Sequence, residues 1–373
     1  MKKVLSLLLV ALLAMGCLVG CGGGEGEAAG DTFEIALITD KGNIDDKSFN
    51  QGAWEGVVAF AEENGITHKY YKPEEASDAG YYAAIELAVQ GGAKVIVTPG
   101  YLFEVAVYEA QAAFPDVKFI LLDGAPHTAD YATYETASNV ASVMYAEEES
   151  GYLAGYAAVM DGNTNLGFMG GMAVPAVQAF GYGYLQGAEA AATELGLADG
   201  AVKAYYHYTG DFAETDANKQ TAKGMYASGA EVVFACGGSV GKSVMSAAAE
   251  SDGKVIGVDV DQRADSETVI TSAMKGLGAS VVAVLESIYD DTFDTYAGTT
   301  TYFTAANNGV GLPSEFDRFE TFTVEQYDAA FAKLVDGSVD PIRTFETADA
   351  DGYATAEELV KELNLTKLSI EVR

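Results

Sequence analysis

The sequence predicts an α/β protein of two lobes, each a doubly wound parallel sheet, joined by crossing strands that serve as a hinge. Three observations carry that expectation. From residue 33 onward, short apolar runs alternate with amphipathic stretches of helical length, the rhythm of repeated βα units with helices on both faces of a sheet. Roughly 340 residues follow the N-terminal stretch, enough for two domains of ordinary size. No long Pro/Ser-rich linker divides them, which fits crossing strands better than two separate domains in tandem.

The elements follow in order. The apolar run at 33–39 is a strand and 48–64 a helix. A weaker strand at 69–71 precedes a helix at 80–90. Then come a strand at 94–98, a helix at 102–113 and a strand at 118–123. The rhythm resumes with a helix at 148–160 and a strand at 166–169. A helix at 176–195, a strand at 201–208 and a helix at 213–228 follow. The run VVFA (232–235) opens a strand, a glycine-rich turn and a helix from about Gly241. Residues 255–258 form another strand, and 280–289 lie in a helix. Right-handed crossovers place the strand C-termini of each sheet on one edge, where ligands bind. The expected N-terminal lobe is 32–145, completed by about 263–305, and the C-terminal lobe is 146–262, completed by about 306–341. The polar tail 342–373 is left unassigned.

Residues 1–20 have the form of a signal peptide: Lys2 and Lys3, then an apolar stretch shorter than the ~20 residues a bilayer span needs. The motif LVGC ending at Cys21 resembles a bacterial lipobox, with Cys17 a weaker second site, and 21–31 reads as a flexible tether. The expected location is the extracytoplasmic face of the cell membrane, held by lipid. The formal net charge of −34 repels phosphate backbones and argues against nucleic acid as a partner. Cys236 has no partner for an intramolecular disulfide once Cys17 and Cys21 are assigned to the N-terminus. The three histidines are widely spaced, so a zinc site is not expected.

Chemistry-bearing residues gather at strand ends. TDKGNIDDKSFNQGAWEG (39–56) carries Asp40, Asp45 and Asp46 before a helix that opens with Phe49 and Asn50. Two readings stand side by side: a capped βα loop, or a flat face with hydrogen-bonding groups for a small, flat, hydroxylated ligand. FILLDG ends in Asp123, GDFAET holds Asp211 and Phe212, VIGVDVDQ holds Asp259 and Asp261, and TSAMKG places Lys275 after an apolar run. ACGGSVGKS (235–243) is nearly a P-loop, but Cys236 stands where the pattern requires its first glycine. We read it as a strand-to-helix turn in which Gly237 and Gly238 let backbone approach a ligand and Lys242 lies at the surface. DADGYATAEE (349–358) resembles part of an EF-hand loop. Thr347 occupies the first position, where such loops use Asp, so a turn before a helix starting near Thr355 fits better than calcium at Asp349, Asp351 and Glu358. GYGYLQG (181–187) has the wrong spacing for a dinucleotide fingerprint and falls inside an expected helix.

Five stretches in order carry a resemblance: ALITDKGNIDDKSFNQGAWEG, EEESGYLAGYAA, GFMGGMAVPAVQAFGYGYLQGA, VVFACGGSVG and VIGVDVDQ. Behind a lipobox they resemble the basic membrane protein family of ABC-transporter lipoproteins, which includes purine-nucleoside-binding proteins. The match runs from about 33 to 341 and leaves the tail outside. It implies a type I periplasmic-binding-protein fold with a nucleoside between the lobes. On that resemblance Asp40, Phe49 and Asn50 belong to the N-terminal side of the cleft. Phe49 stacks on one face of the base and Phe212 on the other, with Tyr208 a substitute. Gly238 lies at the ligand, Asp123 reads a polar edge of the base, and Asp259 and Lys275 hold the ribose hydroxyls. The implied partners are an ABC permease and its cytoplasmic ATPase, with the chain a monomer. No cofactor and no catalytic residue are expected. The alternatives are a sensing lipoprotein of the same fold or, less favoured, an enzyme acting on nucleosides, for which no nucleophile–base pair is visible.

Overall fold

The computed structural model describes residues 33–373. The signal peptide, Cys17, Cys21 and the tether lie outside the described residues. The N-terminal lobe begins as β1 (Ile35–Ile38), α1 (Phe49–Asn64), β2 (His68–Tyr71), α2 (Asp78–Gln90), β3 (Val95–Pro99), α3 (Glu104–Ala113), β4 (Lys118–Leu122) and β5 (Val140–Tyr145). The C-terminal lobe follows with α4 (Glu147–Met160), β6 (Asn165–Gly170), α5 (Pro175–Glu194), β7 (Val202–Tyr208), α6 (Asp216–Ala227), β8 (Val232–Cys236), α7 (Val240–Ser251), β9 (Lys254–Asp259) and β10 (Val269–Lys275). The chain then returns through α8 (Leu277–Tyr289) and β11 (Thr299–Phe303). It closes with β12 (Val310–Gly311), α9 (Val324–Val335), α10 (Ala356–Glu362) and β13 (Leu368–Val372).

Two sheets result. The first has the order β11-β5-β4-β3-β1-β2 and is parallel throughout. The second runs β12-β10-β9-β8-β6-β7-β13, parallel except for the β10–β12 pair. Strands β1, β3 and β8 are fully buried apolar runs, as parallel strands covered on both faces must be.

The expected completion of the first lobe by 263–305 is divided. Strand β10 pairs with β9 in the second sheet, whereas α8 packs on α1 and β11 extends the first sheet beside β5. The crossover therefore lies at Lys275–Leu277, not near 263. Three hinge segments join the lobes: β5 into α4, β10 into α8, and β11 into β12. They are tied together where Ala146 N donates to Phe303 O (3.0 Å) and Gly276 N to Gly309 O (2.8 Å).

The tail beyond 341 is part of the second lobe. Strand β13 adds in parallel to β7, and α10 begins at a capping box of Thr355 and Glu358. In the loop before it the Glu358 carboxylate accepts from Ala348 N, Thr355 N and Thr355 Oγ1, the contacts of a turn that opens a helix. No cluster of three metal-ligating side chains forms among the described residues, nor is any helix there long and apolar enough to cross a membrane.

Candidate functional site

A cleft of about 740 Å³, part of it open to solvent, lies between the lobes at the C-terminal ends of the strands. The loop after β1 contributes Asp40, Gly42 and Asp46, and the first turn of α1 contributes Phe49 and Asn50. Gly100 and Tyr101 follow β3, and Asp123 follows β4. From the second lobe come Val174–Val177, Phe180, Phe212, Cys236–Ser239, Val258 and Asp259, with Lys275 at the end of β10. All eight residues selected from the sequence (Asp40, Phe49, Asn50, Asp123, Phe212, Gly238, Asp259 and Lys275) line this one cleft. Tyr208 does not. Its hydroxyl meets that of Tyr206 at 2.9 Å and its ring packs edge-on against Phe168 and Tyr353.

The two readings of the 39–56 loop prove compatible, because its acids divide the work. Asp46, 3% exposed, caps α1 by accepting from Ser48 N, Asn50 N and Gln51 N at 2.9–3.1 Å. Its second oxygen also takes Asn50 Nδ2 at 2.9 Å. Asp45 stays exposed. Asp40 Oδ1 accepts from Gly42 N (2.7 Å) and Asn50 Nδ2 (2.8 Å), while Asp40 N donates back to Asn50 Oδ1. Asn50 thus orients Asp40 rather than simply lining the wall.

Lys275 is the organising charge. Its ammonium, with the side chain 2% exposed, lies 2.5 Å from Asp123 Oδ2, 3.1 Å from Glu147 Oε1 and 3.9 Å from Asp259 Oδ1. It also sits 4.8 Å from the Phe49 ring centroid, 5.2 Å from Phe180 and 5.3 Å from Tyr145, an aromatic surround that favours a cation. Asp259 Oδ2 accepts from Ser48 Oγ of the opposite lobe. Asp123 Oδ1 has no hydrogen-bond partner among the described residues. Both aspartates adopt left-handed backbone, φ 55° at Asp123 and φ 66° at Asp259. Asp tolerates this region better than most residues, and such conformations cluster at functional sites.

Burial sets the electrostatics. It pushes Asp40 up to about 6 and Asp123 up to about 7, the latter despite the opposing pull of Lys275. Asp259 is also raised by burial, against Lys275 and the Ser48 hydroxyl. Burial alone would lower Lys275, but Asp123, Glu147 and Asp259 outweigh it and hold the ammonium charged. The cleft therefore holds a firmly protonated amine among carboxyl groups, and one of them, Asp123, keeps an oxygen without a partner that can accept, or donate when protonated.

Reasoning from sequence missed Tyr101, Phe180 and Glu147. Tyr101 could have been found, since TPGY follows a strand end as Asp123 does. Phe180 was hidden inside a helix. Glu147 begins the acidic run EEES, which reads as a solvated helix start, yet it is wholly buried behind Lys275. Lys242, expected at the surface, is half-buried, and its Nζ donates to Asp45 O across the cleft rim at 3.3 Å.

Residues 33–338 match the family described as "ABC transporter substrate-binding protein PnrA-like". The chain is 30% identical over 369 residues to the "ABC transporter nucleoside-binding protein BmpA" of Lactococcus lactis, covering 91% of this chain and 98% of that protein. It is 30% identical over 284 residues to "Basic membrane protein A1" of Borrelia garinii, with 75% of this chain and 78% of that one covered. Its fold is that of a solute-binding protein of an ABC transporter from Aeropyrum pernix, with a TM-score of 0.74 over 89% of this chain and 97% of the other at 23% identity. Two of these three are described as binding proteins of ABC transporters, and a substrate-binding protein of such a transporter is extracytoplasmic and not an enzyme. The chain belongs to the PnrA-like family of ABC-transporter substrate-binding proteins.

Proposed function

We propose that this substrate-binding protein takes a nucleoside, with a purine as the favoured base, into its interlobe cleft. One observation carries the reading: two aromatic side chains, Phe49 and Phe212, and the Asp123–Lys275–Asp259 group line the same cleft from opposite lobes. Phe49 and Phe212 stack on the base, each stack contributing about 1–3 kcal/mol. Asp259 accepts both protons of the ribose cis-diol while Lys275 donates to the same oxygens, and hydrogen bonds to charged groups contribute roughly 1.5–3 kcal/mol each. Asp123 takes a polar edge of the base through its free oxygen. After the cost of association, these contributions are compatible with micromolar affinity, about −8 kcal/mol. Four carboxyls (Asp40, Asp46, Asp123 and Asp259) face one cation in the cleft lining, so a 5′-phosphate is disfavoured. Ligand held by both lobes stabilises the closed form, and that form is what the permease would engage. Lipid attachment at Cys21 belongs to the same proposal. Incorporation of labelled fatty acid should disappear in Cys21→Ala, and its persistence would move the anchor elsewhere.

The test is a thermal-shift series of nucleosides, free bases, nucleoside monophosphates and sugars on the tether-free protein. Ligand that binds only the folded state raises the melting temperature, so nucleosides should give the largest shift. A series in which no nucleoside acts and another class does would refute the ligand assignment.

A further inference from the structure

Two charged residues that do not line the cleft are joined to it through buried ion pairs. Glu147, the first residue of α4, is 0% exposed. Its Oε1 lies 3.1 Å from Lys275 Nζ and its Oε2 lies 2.6 Å from an Arg343 nitrogen. Each oxygen of one buried carboxylate thus serves a different cation. Arg343 also donates to Tyr145 O at 2.7 Å and to Glu148 Oε2 at 2.5 Å. Tyr145 and Glu147 flank the first hinge crossing and Lys275 ends the strand before the second, so the guanidinium sits at the hinge itself.

The segment that brings Arg343 there lies beyond residue 338, where the family match ends. It is seated along one face of α5. The Gln186 amide bonds Ile342 in both directions (2.8 and 2.9 Å), Phe345 stacks on Tyr182 at 4.6 Å, and Gln178 Nε2 donates to Gly352 O at 2.8 Å. Positions 178, 182 and 186 share a face at a spacing of four. The segment is therefore a strap with a fixed seat, and its arginine is delivered to one place.

Charge balance gives that delivery a consequence. Three carboxyls lie within 4 Å of Lys275. A single ammonium cannot satisfy three buried carboxylates, and an unpaired buried charge is costly. We propose that Arg343 is a positioning residue for the binding cleft: by holding Glu147 it leaves Lys275 to organise Asp123 and Asp259. Burial alone would raise Glu147, but Lys275 and Arg343 together hold it below the ordinary range. Without the guanidinium, Glu147 competes for Lys275 or takes up a proton, and in both cases the ammonium shifts relative to the two cleft aspartates.

This inference deepens the nucleoside reading and rests on it for its effect on affinity. The test compares wild type, Arg343→Met, Arg343→Lys and the charge-balanced Glu147→Gln/Arg343→Met. Inosine titration gives affinity, and the ¹⁵N resonance of the Lys275 ammonium is read in ligand-free protein. Arg343→Met should weaken inosine binding about tenfold, within the usual range of coupling between linked sites, and move the Lys275 resonance. Arg343→Lys and the double variant should each recover most of both. An unchanged Lys275 resonance with unchanged affinity, even at a lowered melting temperature, would leave Arg343 as mere packing and overturn the proposal. So would equal losses in all three variants. If wild type binds neither inosine nor any other nucleoside, the nucleoside reading falls, and the Lys275 resonance alone then decides the role of Arg343.

Discussion

Asp259 and Asp40 face the same cleft but do different things, and substitution separates them. Asp259 is bonded only to Ser48 and paired with Lys275, so its proposed partner is the ribose. Asp259→Ala should weaken nucleoside binding by tenfold or more, from about 1.5–3 kcal/mol per charged hydrogen bond, and change free-base binding little. Calorimetry on both ligands checks this, and equal losses would remove Asp259 from the ribose. Asp40 carries a pH signature. Burial raises its carboxyl from 3.8 to about 6, so between those values the folded state holds more proton than the unfolded one. Folding stability of the ligand-free protein therefore falls as pH rises through that window. Asp40→Asn keeps the acceptor for Gly42 N and removes the proton. The wild-type minus variant difference in melting temperature should decline from about pH 4 to 6, the span of the shift, and a flat difference would deny the raised value. At this scale the sequence was most informative where a residue follows a strand: Asp40, Asp123, Asp259 and Lys275 were readable because parallel sheets gather such ends on one edge. Glu147 and Arg343 were not, because nothing in EEES or PIRTF marks a charge as buried. Only the meeting of α4, β10 and the C-terminal strap buries Glu147 and half-buries Arg343 against it.

Helices α4 and α5 show what element-level reading leaves out. GYGYLQG fits no nucleotide fingerprint, and two of its glycines, Gly183 and Gly187, serve helix contact instead. A Cβ on Gly183 would lie 2.0 Å from Glu148 O, and on Gly187 1.9 Å from Tyr152 O. Across the interface, one on Gly155 would lie 1.9 Å from Tyr184 O. The backbones touch, and no side chain fits between them. Gly155→Ala should destabilise by about 1–3 kcal/mol, as overpacking does. Gly224→Ala, in α6 with no atom within 4 Å of the added carbon, should be neutral or stabilising by up to about 1 kcal/mol. Chemical denaturation of both checks the pair, and equal effects would contradict the contact. At the ACGGSVG turn, Gly238 has φ 54°, which explains a glycine in a loop that holds no phosphate-binding pattern. Most βα units were legible from alternation. Strand β5, although buried, lies outside the expected elements, and β12 and β13 leave no apolar run because one has two residues and the other is a mostly exposed edge strand.

In the whole molecule the two lobes are in contact across the cleft. The 45–48 loop of the first lobe meets the second through Ser48 to Asp259, Gln262 Nε2 to Lys47 O at 2.7 Å, Lys47 to Asp265 at 3.7 Å and Lys242 to Asp45 O at 3.3 Å. Lys47 and Lys242 do not line the cleft; they join the lobes beside it rather than within it. Lys47→Met/Lys242→Met should weaken nucleosides and free bases by the same factor, about two- to tenfold for contacts of this kind. A change in the discrimination between them would place one of these lysines at the ligand. The two-lobed plan was readable from length, rhythm and the missing linker. The point where the chain crosses back was not, because β10 and α8 are consecutive in sequence and belong to different lobes. Calorimetric titration with purine nucleosides, their free bases and their 5′-monophosphates tests whether a nucleoside is held between the lobes by the acid–lysine–acid group. Binding at micromolar affinity or tighter for the nucleoside, with both the base and the monophosphate at least about tenfold weaker, a gap of 1.4 kcal/mol, is the expected result. No heat from any nucleoside, or a monophosphate that binds as tightly, would contradict it.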